Sequence, residues 1–224
     1  MKVLAVYGAS GLGREILELA KIINEKEKKW TDYIFIDDGN VPEVVDGYDV
    51  YKYDAAKDKY STALEIAMGV GEPTTREKLF KKIKNDGIST PTLIHPNVYL
   101  PDSTVIGEGV IIQEGCFISV GVRICDYTFL QPKCAIGHDC VLNEGCIIST
   151  FDSIAGAVKI GKCTYLGMGV SVMELLSIGD YAVIGMGSAV FKDVPDEMIA
   201  IGNPARPIKK NEERHVFGHR KVAN

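Results

Sequence analysis

Between residues 94 and 190 an aliphatic side chain recurs every six residues without a slip. From Ile94 through Ile112, Ile136 and Leu166 to Val190, all seventeen positions are Ile, Leu or Val. A helix cannot use this period, because its apolar stripe recurs every 3.6 residues. Short strands joined by sharp corners can, three strands to a rung, with each aliphatic pointing inward. The position two residues earlier holds a small side chain in nearly every turn, Asp152 and Leu176 excepted. Glycine often follows the aliphatic, as at Gly107, Gly137, Gly161, Gly167, Gly179 and Gly185, where it is expected to relax the corner. The segment 92–208 is therefore expected to be a parallel β-helix of hexapeptide repeats, with rungs about 4.8 Å apart.

The same slots account for most of the cysteines. Cys116, Cys134, Cys140 and Cys146 occupy the small inward position, where a thiol packs as a compact apolar group. Cys125 and Cys163 fall elsewhere and have no assigned role. There is no CxxC pair and no Cys/His cluster with zinc spacing, so a reduced, cytoplasmic protein without a metal is expected. The net charge of −5 gives no reason to expect nucleic acid. No apolar run reaches the length of a membrane span. The start, MKVLAVYGASG, reads as a strand and not as a signal peptide.

The first 91 residues follow another rhythm. KVLAVYG, YIFID and LEIAMGVG read as strands, with VYKYD as a short further one. GREILELAKIINEK and REKLFKKIKNDG carry apolar residues at helical spacing. This alternation predicts a small Rossmann-like α/β domain over 1–91. Its first turn, GASGLG, is either a tight strand-to-helix turn or an anion cradle at a helix N-terminus. Its spacing, Gly8, Gly11 and Gly13, is GxxGxG and not the dinucleotide fingerprint. Asp37 and Asp38 end the second strand, where a carboxylate either bonds a ribose or base edge or is merely solvated. Residues 209–224 read as a polar tail.

YGASGLGREI, FIDD, IAMG, TLIHP, GHDCVL and the closing GNPAR together resemble the PglD/NeuD-type bacterial sugar acyltransferases. These belong to the left-handed β-helix, or hexapeptide-repeat, superfamily. The resemblance implies a homotrimer with acetyl-CoA in the cleft between adjacent coils. It also implies a nucleotide sugar, often UDP-linked, on the N-terminal domain. Under it, Gly8, Ser10, Gly11, Leu12 and Gly13 line the diphosphate or sugar, Asp37 and Asp38 reach the uridine, and Gly69 sits against the nucleotide. Gly156, Gly167, Met168, Gly185 and Met186 match coenzyme-contacting positions. Leu12 and Ile147 stand where the family often has histidines, Ile147 near the thioester end of the coenzyme.

His138 lies two residues past Ile136 and so falls outside the inward slot. It is either a surface histidine without a task or a base at an outward corner. The resemblance favours the base: neutral imidazole titrates near working pH and can take a proton from an amino group attacking a thioester. Asp139 matches the family's acidic partner. Successive side chains in a strand diverge, so this contact requires a bend.

Other readings use the same coil. A γ-type carbonic anhydrase needs three histidines from neighbouring subunits, and the chain offers His95 and His138 in the coil and His215 and His219 in the tail. O-acetylation of a sialic-acid-like sugar would use the same base. A nucleotide-sugar-binding trimer with decayed catalysis would fit Leu12 and Ile147.

Overall fold

The computed structural model describes residues 2–217. KVLAVY forms β1 (Lys2–Tyr7), buried because strands flank it on both sides. A turn leads into α1 (Gly11–Glu27), where Ile16, Leu19, Ala20 and Ile23 make one buried apolar stripe. Then follow β2 (Trp30–Ile36), β3 (Val44–Val45), β4 (Tyr48–Tyr51), α2 (Tyr53–Tyr60), β5 (Leu64–Met68) and α3 (Pro73–Asn85). The strand order is β3-β4-β2-β1-β5, and β1 pairs in parallel with both β2 and β5. The chain winds to one side of β1 first and to the other side later. The carboxyl ends of β1 and β5 therefore open a crevice at the point of reversal. The sequence pattern did not announce α2, which buries only Tyr53 and Ala56 and so carries no periodic signal.

The second half is a triangular coil of two-residue strands, each ending on an aliphatic of the six-residue series. Each strand pairs in parallel with the one a full rung later, as Arg123 with Val141 and Ala135 with Ser153. Three sheets result. One face turns Arg123, Val141 and Lys159 outward; a second turns Ile111, Phe129 and Ile147 outward; a third presents Phe117, Ala135 and Ser153. The aliphatics and the four slot cysteines share one buried interior.

The corners correct one expectation. The left-handed residue is the third after each aliphatic, at every sixth position from Gly109 to Gly187, including Tyr127, Asp139, Phe151 and Cys163. For a residue with a side chain this conformation costs about 1–2 kcal/mol, sustained here by the flanking ladders. The glycines directly after the aliphatics have no positive φ. They permit close stacking: a Cβ on Gly137 would lie 2.6 Å from the Ala155 carbonyl carbon, and one on Gly167 2.6 Å from the Met186 nitrogen.

The sheet domain sits on one face and one corner of the coil. Leu4, Ile16 and Leu17 share a buried cluster with Leu93, Ile111, Phe129 and Ile147. Ile66, Phe80 and Ile83 share another with Tyr127 and Cys163, which gives Cys163 its role. Burial pushes the Cys163 thiol up to about 12, so it packs as a neutral group. Arg76 on α3 is fully buried and donates to the carbonyls of Met68 (2.9 Å), Val70 (3.1 Å) and Tyr127 (2.9 Å).

The coil ends in an antiparallel pair, Met198–Gly202 with Ala205–Lys210. Lys209 and Lys210 thus belong to a strand and not to a polar tail. Asn211 to Phe217 then fold back over the molecule. Asn211 is buried and donates to the Tyr181 carbonyl, while Arg214 binds Glu197. Acceptors on the folded body draw in this polar segment. His219 lies outside the described residues. Among the described residues no helix is long and apolar enough to cross a membrane.

Candidate active site

His138 stands on the corner between the Arg123 face and the Phe117 face, across the triangle from the face that carries the sheet domain. Its side chain is 62% exposed, and Asp139 beside it is 67% exposed. Asp139 is one of the left-handed corner residues, with φ +58°. That bend brings its carboxylate to the same side as the imidazole, and Nδ1 lies 2.8 Å from Oδ2. A carboxylate only accepts, so Nδ1 carries a hydrogen, and in the neutral ring the lone pair is then on Nε2. One rung later, Gly156 leaves the space this ring occupies: a Cβ there would overlap Nε2 and Cε1.

The other residues singled out in the sequence divide into three groups. Gly167, Met168, Gly185 and Met186 stack rung on rung at a second corner, which flanks the Phe117 face from its other side. Met168 and Met186 are exposed there, at 51% and 75%. One chain therefore does not bring them to His138. Ile147 corrects an expectation: its side chain is 1% exposed in the cluster between the domains, so it packs there and offers no contact to a coenzyme. His95 is also buried, with Nδ1 accepting from the Asn97 N–H.

The third group lines the β1/β5 crevice. Gly8, Gly13 and Gly69 press backbone against backbone; a Cβ on Gly69 would lie 2.7 Å from the Gly13 Cα. Packing alone thus demands these glycines. Ser10 and Gly11 are exposed, and Ser10 caps α1 without a side-chain bond. The first turn of α1 carries no acidic residue, so its N–H groups are disposed toward an anion. Leu12 is half-buried against the α1 cluster. Asp37 accepts the Ala9 N–H at 3.0 Å and the Gly39 N–H at 2.9 Å, which ties the end of β2 to the glycine turn. Asp38 accepts the Tyr53 N–H at 2.9 Å and the Tyr7 hydroxyl. Desolvation pushes its carboxyl upward, but the Tyr53 and Tyr7 bonds outweigh that and hold it below its ordinary value.

Arg76, Tyr165 and Phe217 escaped the sequence reading. The signal for Arg76 was present: Arg76, Phe80 and Ile83 fall at i, i+4 and i+7, on the buried stripe of α3. No local pattern joins Phe217 to the crevice.

Known proteins share this fold. Residues 3–83 match the PglD N-terminal domain family, and residues 88–197 match the GMPPB C-terminal domain family. The GDP-perosamine N-acetyltransferase of Escherichia coli O157:H7 is 28% identical over 90% of this chain and 84% of its own length. The acetyltransferase domain of PglB from Neisseria gonorrhoeae FA1090, solved with acetyl coenzyme A, superposes with a TM-score of 0.86. It is 27% identical, covering 92% of this chain and 99% of that one. PerB from Caulobacter crescentus, solved with CoA and GDP-perosamine, gives a TM-score of 0.81 at 27% identity over 93% of this chain and 98% of that one. Against curated putative acetyltransferases the chain spans a smaller part, 58% of one relative's length and 28% of another's. With its sheet domain matching the PglD N-terminal domain family and both halves superposing on solved acetyltransferases, the chain is similar over nearly its whole length to acetyltransferases of the hexapeptide-repeat superfamily.

Proposed function

We propose that this protein is an acetyl-CoA-dependent N-acetyltransferase acting on a nucleotide-linked amino sugar, as a homotrimer, with His138 as general base. One observation carries the reading: an exposed imidazole, oriented through Nδ1 by the corner carboxylate of Asp139, with Nε2 above the bare backbone of Gly156. As the sugar nitrogen attacks the thioester carbonyl, Nε2 takes its proton. The new C–N bond forms, the C–S bond breaks, and the proton passes to the departing thiolate. Base catalysis of this kind contributes about 10²–10⁴-fold.

Placement supports an assembly of copies, which the reading takes to be three. His138 lies across the coil from the face that carries its own crevice, so on this reading the crevice served by this imidazole is that of another copy. Phe117, Val120, Phe151, Met168, Leu175 and Met186 expose apolar side chains on the Phe117 face and its two corners. Such a surface suits burial between coils. The same packing would bring the Met168 and Met186 strip of one copy toward His138 of the next, with acetyl-CoA between them. All six cysteines are free thiols, in keeping with a reduced, cytoplasmic setting.

The relatives' names specify GDP-linked perosamine, so the assay offers both UDP- and GDP-linked amino sugars and their hydroxyl counterparts. Thiol release from acetyl-CoA should appear with an amino sugar and fall at least about 10²-fold in His138→Asn. Light scattering should give a three-chain mass. A single-chain mass, or unaltered turnover in the variant, would sink the reading.

A further inference from the structure

We propose that Phe217 is a specificity-determining residue of the acceptor site: with Leu12 and Tyr165 it forms an apolar wall for the C–H-rich face of the acceptor sugar. This rests on the reading of the β1/β5 crevice as the nucleotide-sugar site.

Three remote parts of the chain meet at this point. Gly71 follows β5, Leu12 opens α1, and Phe217 arrives from the C-terminal segment. A Cβ on Gly71 would lie 3.5 Å from the Leu12 Cδ2 and 3.8 Å from the Phe217 Cε2, so both side chains converge over that glycine. The Phe217 ring also stands edge-on to Tyr165 of the coil, with centroids 5.4 Å apart and planes at 79°. The wall therefore spans both domains.

The segment that carries Phe217 is held along its length. Arg214 binds Glu197 and lies over the Tyr181 ring at 4.2 Å. Glu72, 13% exposed, accepts the Val216 N–H at 3.1 Å and the Phe217 N–H at 3.2 Å. A ring so fixed loses little freedom when a ligand packs on it. Yet Phe217 remains 55% exposed, apolar surface with room for a ligand beside the crevice.

Its position in the crevice selects the sugar as its ligand. The glycine turn and the α1 N-terminus take the diphosphate. Asp37, at the end of β2, marks the nucleoside side of that turn. Gly71 and Phe217 lie on the opposite side, with β5 and the coil. A hydroxyl pressed on Leu12 and the Phe217 ring would lose its water without gaining a partner, because neither side chain carries a polar atom. A deoxy or methyl-bearing face would not.

The test is steady-state kinetics on the full chain. Phe217→Ala should raise KM for the nucleotide amino sugar about 10-fold and leave KM for acetyl-CoA within about twofold. Phe217→Trp should restore the acceptor KM, and Glu72→Ala, which frees the segment, should act like the alanine variant. Preference for a deoxy over a fully hydroxylated acceptor should shrink about 10-fold in Phe217→Ala. An acceptor KM that stays the same, or drops because the ring had blocked the crevice, overturns the inference while the enzymatic reading stands. If the wild-type protein turns over no nucleotide amino sugar, the reading fails and takes the inference with it.

Discussion

The Nδ1 of His138 and the Oδ2 of Asp139 stand 2.8 Å apart although the two residues are adjacent in the chain. In an extended strand their side chains would leave on opposite faces. The positive φ of Asp139, +58°, turns the chain between them and lets the carboxylate hold the ring. Asp139→Asn isolates the charge, because asparagine tolerates the left-handed corner. Its amide can present a donor to Nδ1 and so stabilise the wrong tautomer. We expect kcat to fall about 10–10²-fold. Stability should stay within about 0.5 kcal/mol, as for other exposed substitutions. Thiol release at saturating substrates, with a denaturant titration alongside, measures both. Unchanged kcat would remove Asp139 from the chemistry.

Gly156 separates space from chemistry. Its φ is not positive, so alanine meets no backbone penalty there. An added Cβ, however, would occupy the place of the His138 Nε2 and Cε1. The exposed imidazole must swing outward, which breaks its alignment without touching its identity. A misplacement of about 1 Å costs up to about 10²-fold. Gly156→Ala should therefore lose between about 10- and 10²-fold in kcat with the coil still folded by circular dichroism. Full activity would show that the ring does not work from this position.

The coil was legible because its period is strict and belongs to no other regular structure. The inward role of Cys116, Cys134, Cys140 and Cys146 followed from their slot, and all are buried. The corner was misplaced by two residues. Composition points to the glycines after the aliphatics, whereas residues such as Tyr127, Lys133 and Leu175 make the actual turn. Local preference is overruled there by ladders on both sides, and no single-residue rule carries that information. His138 was legible from its register, but its bond to Asp139 depends on that hidden corner. Ile147 misled for a different reason: alternation shows that it points outward, not that another domain covers it. The convergence of Phe217, Leu12 and Gly71 joins segments too distant in sequence for any periodicity to reveal.

Asp152 sits in the small inward slot, fully buried, where its oxygens accept the N–H groups of Ser149 and Val170, each at 2.7 Å. Burial pushes its carboxyl up to about 8, against the opposing pull of those bonds. The unfolded chain releases this proton near its ordinary value of about 3.9. Stability from the protonated form is thus complete below about pH 4 and declines as pH rises toward about 8. The loss amounts to a few kcal/mol, since each pKa unit is worth about 1.4 kcal/mol. Thermal melts between pH 5 and 8.5 should show a falling midpoint in the wild-type protein. In Asp152→Asn, which cannot ionise, that part of the slope should vanish. An identical slope in both proteins would assign it to other groups.

Arg76 is a buried cation whose hydrogen bonds all go to carbonyls, those of Met68, Val70 and Tyr127, beneath the Phe129 ring. Desolvation lowers its guanidinium to about 10, which still leaves it charged at neutral pH. Because Met68 and Val70 flank Gly69 while Tyr127 belongs to the coil, this one side chain locks the crevice loop to the β-helix. Methionine at position 76 keeps much of the volume but strands three acceptors, each worth about 1–3 kcal/mol when left buried and unpaired. Relief of the buried charge offsets part of that cost. Arg76→Met should therefore lose about 3 kcal/mol in denaturant unfolding. It should also loosen the domain contact, seen as faster amide exchange at Met68–Val70, with the coil interior still protected. Lysine, with one charged nitrogen in place of two donating ones, should fall between the two. A methionine variant as stable as the wild type, with unchanged exchange at that loop, would show that packing of Phe80 on Tyr127 suffices to hold the domains together.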